Sequence, residues 1–105
     1  MSHVVKVQAT IVDSYRVIYQ RHPIERMAQR GVSEEDVMQV LLTGETIQVY
    51  ADDTPFPSEL ILGWRKRRPL HIVVATDTVH QRKIVITVYE PQPDQWEAAF
   101  RRKKS

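Results

Sequence analysis

The chain contains no cysteine among its 105 residues, which removes disulfides, thiolate metal sites and the commonest covalent nucleophile and leaves stability to packing. Glycine is nearly as scarce, three residues in all, so no glycine-rich loop is available to cradle a phosphate and no nucleophile elbow can be drawn. No run approaches the roughly eighteen apolar residues that a membrane span needs. The first fifteen residues also lack the basic start, apolar block and small-residue cleavage site of a secretory signal. A soluble, cytoplasmic protein is the expectation. The four histidines, His3, His22, His71 and His80, are too scattered for a metal site, and neither metal nor cofactor is expected.

What is present suits one domain over residues 1–105, with 42% hydrophobic and 27% charged residues and a formal charge of +2. The charge is unevenly spread. No lysine or arginine lies between Gly31 and Trp64, where Glu34, Glu35, Asp36, Glu45, Asp52, Asp53 and Glu59 fall. Basic residues gather before that segment, at Arg16, Arg21, Arg26 and Arg30, and after it, at Arg65, Lys66, Arg67, Arg68, Arg82, Lys83 and the tail 101–105. If the two blocks meet, one surface binds polyanions; solvated charge runs are the plainer reading. Arginine outnumbers lysine ten to five, which favours fork-like hydrogen bonding to phosphate or carboxylate.

The stretch 22–33 joins the clearest helix punctuation to the best candidates for chemistry. Pro23 suits a first helical turn and Gly31 a stop, with Ile24, Met27 and Ala28 on one stripe and His22, Arg26 and Arg30 on another. The pre-proline position puts His22 at an extended strand-to-helix corner. Such a cationic strip with one imidazole could hold a phosphodiester and move a proton. Equally, His22 could cap the helix and the arginines could form a solvated face.

Period-two alternation predicts strands over 4–12, with Val5, Val7, Ala9 and Ile11 on one face, and over 15–22, closed by Pro23. Ser33, followed by three acids, predicts a second helix over 34–43, which Gly44 would end in a left-handed turn. Further strands are expected over 46–50, with Ile47 and Val49 inward, and over 60–64, 70–76 and 83–89. Residues 65–68 would turn one hairpin with four positive charges at its tip, for an anion or as a guard against edge aggregation. Asp94 would cap a last helix carrying Trp96, Ala99 and Phe100, before the basic tail enters solvent. The sum is an α+β fold of two layers, an antiparallel β-sheet packed with two N-terminal helices and a C-terminal helix.

RNA cleavage needs little apparatus, because the 2′-hydroxyl is an internal nucleophile; a base, cations and a proton donor suffice without metal. His22, Arg26, Arg30 and the outward Tyr89 are the catalytic candidates, with Arg65, Lys66, Arg67, Arg68 and His71 as nucleic-acid contacts. A lone histidine such as His71 is more often structural. The same residues could bind RNA or an acidic protein without chemistry.

The runs HPIERMAQRGVSEEDV at 22–37, TGE at 43–45, LHIVVA at 70–75 and IVITVYEP at 84–91 resemble a small bacterial family known as domain of unknown function 4258, over about residues 15–96. That family is distantly similar to the RelE and MqsR type of toxin, compact α+β ribonucleases often encoded beside a protein antitoxin that is sometimes a small zinc-binding one. The resemblance falls on His22, Arg26, Arg30, Gly31, Gly44, His71, Thr87 and Tyr89, with Pro23 standing where the family commonly has alanine. It implies a metal-independent RNA endonuclease of a toxin–antitoxin pair, with RNA and an antitoxin as partners; a homodimer is an open option that the sequence does not decide. A non-catalytic RNA- or protein-binding module of the same fold is the alternative.

Overall fold

The computed structural model describes residues 4–12 as backbone and residues 14–104 with side chains. Eight elements follow in order: β1 (Val4–Val12), β2 (Tyr15–Gln20), α1 (Arg21–Arg30), α2 (Glu34–Thr43), β3 (Glu45–Tyr50), β4 (Ser58–Arg65), β5 (Arg68–Asp77) and β6 (Arg82–Tyr89). His3 and the shared face expected of Val5, Val7, Ala9 and Ile11 lie outside the described residues and side chains.

The six strands form one sheet in the order β1-β2-β6-β5-β4-β3. The expected antiparallel sheet is therefore mixed: β2 and β6 run parallel, with Arg16 opposite Arg82 and Ile18 opposite Ile84, while the other neighbours are antiparallel. The two helices carry the chain from β2 to the far edge, and the meander from β3 to β6 returns to fill the gap. Three reversals leave β6 antiparallel to β3, and it arrives beside β2 running the same way. A parallel pair needs a long crossover, and two helices and three strands supply it here.

Helix α1 begins two residues before Pro23, so His22 is its second residue rather than an extended corner. Proline is tolerated at the third position because none of the first four N–H groups has an intrahelical acceptor. Gly31 ends α1 in the left-handed region at φ 67°, as expected. Helix α2 has the expected bounds and a full capping box, in which Ser33 Oγ accepts from Asp36 N–H and Asp36 accepts from Ser33 N–H. Gly44 is extended (φ −74°, ψ 173°), not left-handed. Glycine is needed there for room, since a Cβ would lie 2.5 Å from the Val40 carbonyl oxygen and 2.8 Å from that of Leu62.

The helices cover one face of the sheet. Met27, Val32, Val37 and Val40 pack on Val17, Tyr19, Ile61, Leu70, Ile72, Val74, Val85 and Val88, burying each branched side chain for roughly 1.5–3 kcal/mol. Burial pushes the Tyr19 phenol up to about 12, with Glu34 adding to it. On edge strand β3 a register shift between Thr46 and Gln48 resets the alternation, so Val49, expected inward, is 65% exposed.

The expected C-terminal helix does not form. After Tyr89, residues 91–104 make turns and fold back so that Trp96 bridges Lys103. Backbone bonds from Phe100 N–H to Glu97 O (2.7 Å), Glu97 N–H to Arg102 O (2.9 Å) and Lys104 N–H to Gln95 O (2.8 Å) close this strap. Trp96 packs edge-on against His71 on the sheet face opposite the helices, and the backbone around it bonds across the fold-back instead of along a helix. The basic tail expected in solvent is thus partly structural.

Candidate functional site

The sequence-based candidates divide between the two faces of the sheet. His22 and Arg30 are exposed on α1 and Arg26 is half-buried; Arg26 Nε donates to His22 Nε2 at 3.4 Å, one turn apart. They form the anticipated cationic strip on the helical layer. Tyr89 stands opposite His71 in the β5–β6 ladder. His71 alternates with Leu70 and Ile72, which face the helices, so His71 and Tyr89 lie on the other face. A full sheet separates Tyr89 from His22, and the four catalytic candidates do not meet.

The β4–β5 hairpin forms with Lys66 at φ 58°, but it does not present four free charges. Arg65 Nη2 and Arg68 Nη2 both reach Glu90, at 3.1 and 2.7 Å. Arg65 Nη1 also donates to the Gly31 carbonyl at 3.0 Å and lies 3.7 Å from Asp36. Arg65 therefore ties the α1–α2 turn to the hairpin. Lys66 and Arg67 are exposed and have no acidic partner among the described residues. Replacing Glu90 with glutamine removes the charge shared by two arginines. If RNA meets the hairpin, its binding should steepen in salt dependence by up to about two phosphate contacts, and a titration over salt concentration reads the slope directly.

The other face holds a fully buried, hydrogen-bonded histidine. His71 is fully buried, with Trp96 edge-on at 4.4 Å and Tyr89 at 5.1 Å. Its Nε2 lies 2.9 Å from the Phe100 carbonyl oxygen and its Nδ1 lies 3.0 Å from the Tyr89 hydroxyl. A carbonyl only accepts, so Nε2 carries the hydrogen. Burial lowers the pKa of His71, against a smaller opposing effect of the Phe100 carbonyl, and the ring is neutral at pH 7. In a neutral ring Nδ1 is then the acceptor, and the Tyr89 O–H donates to it. Burial, and less strongly Tyr50, raises the Tyr89 phenol, so it keeps its proton.

His71 offers no surface to a ligand; its influence passes through Tyr89. The Tyr89 ring borders a groove of about 590 Å³ with Gln48, Tyr50, Leu60 and, from the strap, Trp96, Arg102 and Lys103. Arg101 also lines it but is held by Glu45 at 2.9 Å. Arg102 and Lys103 are exposed without an acidic partner among the described residues. Sequence reasoning missed Tyr50, Arg102 and Lys103 as groove residues. Tyr50 was legible as outward-facing, but nothing in the pattern folds the tail back over Trp96.

At the opposite end of that face, buried Asp77 accepts from His80 Nδ1 (2.9 Å) and from Arg82 Nε and Nη2 (3.1 and 2.8 Å). Burial alone would raise its carboxyl; the Arg82 and His80 bonds outweigh that and hold it at about 2. Among the described residues, no group of three or more histidine, aspartate or glutamate side chains is placed to hold a metal ion, and no helix is long and apolar enough to cross a membrane.

The model of a family described as a domain of unknown function (DUF4258) matches residues 19–90. That span runs from the last buried residue of β2 to Glu90, omitting β1 and the strap. No curated protein and no solved structure matches the chain.

Proposed function

The chain belongs to the DUF4258 family, and we propose that it is a metal-independent RNA endonuclease of toxin type, acting in the cytoplasm and held in check by a protein antitoxin. The single observation carrying this reading is the Tyr89–His71 pair, its tautomer fixed by the Phe100 carbonyl, opening on a groove with two cations, Arg102 and Lys103, that have no acidic partner among the described residues. RNA enters with a phosphate against Arg102 and Lys103. The 2′-hydroxyl gives its proton to the Tyr89 oxygen as Tyr89 passes its own to His71 Nδ1, and the freed 2′-oxygen attacks phosphorus. A 2′,3′-cyclic phosphate forms, the P–O5′ bond breaks, and the 5′-oxygen leaves with a proton from water. His71 returns its extra proton to solvent through Tyr89. Burial makes His71 a reluctant acceptor, and the negative phosphorane in the groove offsets the charge it gains. The α+β layering is compatible with the RelE and MqsR toxins, and an antitoxin, zinc-binding or not, would cover the groove.

The raised Tyr89 and lowered His71 favour a second reading, an RNA-binding module without chemistry. Incubating the protein with single-stranded RNA in a chelator separates the two: fragments ending in cyclic phosphate support cleavage. Intact RNA with salt-sensitive binding supports the module, and the absence of either removes RNA as the ligand.

A further inference from the structure

A second groove, of about 770 Å³, lies between the start of α2 and the β4–β5 hairpin. Its wall is Trp64, an indole that is 47% exposed although the strand before it is buried. The ring is propped edge-on by Phe100, with centroids 6.0 Å apart at 75°, and stands opposite Pro69 in the ladder. A half-exposed aromatic held by a neighbouring ring is a stacking platform. Lys66 lies on the same rim and Arg67 is next to it in the turn. From α2, Glu35 and Gln39, one turn apart, line the same groove.

A bare phosphate would be repelled by Glu35. A nucleotide needs this mixture: an aromatic to stack on, an acceptor for its donor edge and cations for its phosphate. Guanine in a single strand offers two adjacent donors, N1–H and the 2-amino group, which a carboxylate accepts together, whereas uracil offers one. We propose that this groove is a subsite for an unpaired guanine nucleotide, with the base on Trp64, its donor edge on Glu35 and Gln39, and its phosphate on Lys66 and Arg67. As a subsite for RNA it rests on the reading above, and it names the nucleotide that reading left open. Phe100 links the two regions, touching Trp64 with its ring and His71 with its carbonyl.

The test uses the intact chain and guanosine 5′-monophosphate, uridine 5′-monophosphate and inorganic phosphate as probes, none of which can be cleaved. Only two tryptophans are present and Trp96 is buried, so quenching of fluorescence reports Trp64. Guanosine monophosphate should quench it, uridine monophosphate bind more weakly and phosphate leave it unchanged. Trp64→Ala should weaken guanosine monophosphate binding roughly 5- to 100-fold and Trp64→Phe much less. Glu35→Gln should erase most of the preference for guanine while leaving the folded spectrum intact. Equal binding of all three probes, or a Trp64→Ala protein that binds as wild type does, overturns the subsite. RNA cleavage that proceeds with no nucleotide selectivity would sink this inference and leave the endonuclease standing; selective nucleotide binding without cleavage would do the reverse.

Discussion

Replacing Tyr89 with phenylalanine is expected to lower RNA cleavage by roughly two to four decades, the usual worth of a positioned proton acceptor, while RNA binding survives on Arg102 and Lys103. The phenyl ring keeps the edge contact with His71 and loses only the hydroxyl. Loss of that hydroxyl leaves Nδ1 of a buried imidazole without its donor, which should lower stability by about 1–3 kcal/mol, too little to empty the folded state. Single-turnover cleavage beside equilibrium binding reads the two effects separately. The pH profile adds a check. The relay needs neutral His71, whose pKa is below its ordinary value, so activity should hold through neutral pH and fall only on the acid side. His22→Ala, a sheet away, is the natural control. Should that change stop cleavage while Tyr89→Phe leaves it alone, the chemistry belongs to the α1 strip with Arg26 and Arg30.

Those two histidines also mark how far the sequence could be read. Local signals were sufficient where one residue acts on its own turn: Ser33 and Asp36 cap α2 at the expected place, Gly31 ends α1, and the alternating runs became strands near their expected bounds. Long-range arrangement was not legible in the same way. The parallel β2–β6 pair depends on where the meander returns, which no window of residues records. Glu90 was never singled out because a lone acid after a strand has no pattern, yet it converts two of four hairpin charges into structure. His22 looked catalytic because its neighbours are punctuated so clearly, whereas His71, inside an apolar run, read as a nucleic-acid contact or a structural histidine and not as part of a relay. Only the strap, read from sequence as a helix by the spacing of Trp96, Ala99 and Phe100, gives His71 its second partner and its tautomer.

That strap is also where a single substitution should act most strongly on the fold. Trp96→Ala is expected to cost roughly 3–5 kcal/mol, the range for removing a buried aromatic, since the indole is 9% exposed and fills the space against the His71 ring at 4.4 Å. The effect extends beyond the lost area, because the indole seats the strap on the sheet and the strap carries the Phe100 carbonyl to His71. Water reaching the imidazole would relieve the burial that lowers its pKa, so the value should climb back toward 6.5. The sign of the linkage follows. In the wild type the unfolded chain takes up a proton on His71 before the folded protein does, so this part of the stability is complete above about 6.5 and drains away as pH falls below it. In Trp96→Ala the folded protein takes up the proton at nearly the same pH, and that acid loss flattens. Urea unfolding at neutral and mildly acidic pH, with the His71 ring protons followed by NMR, measures both quantities on one pair of proteins. A variant as stable as wild type, with the His71 titration unmoved, would mean that the strap lies on the sheet without holding it, and the groove formed by Arg102 and Lys103 would lose its floor.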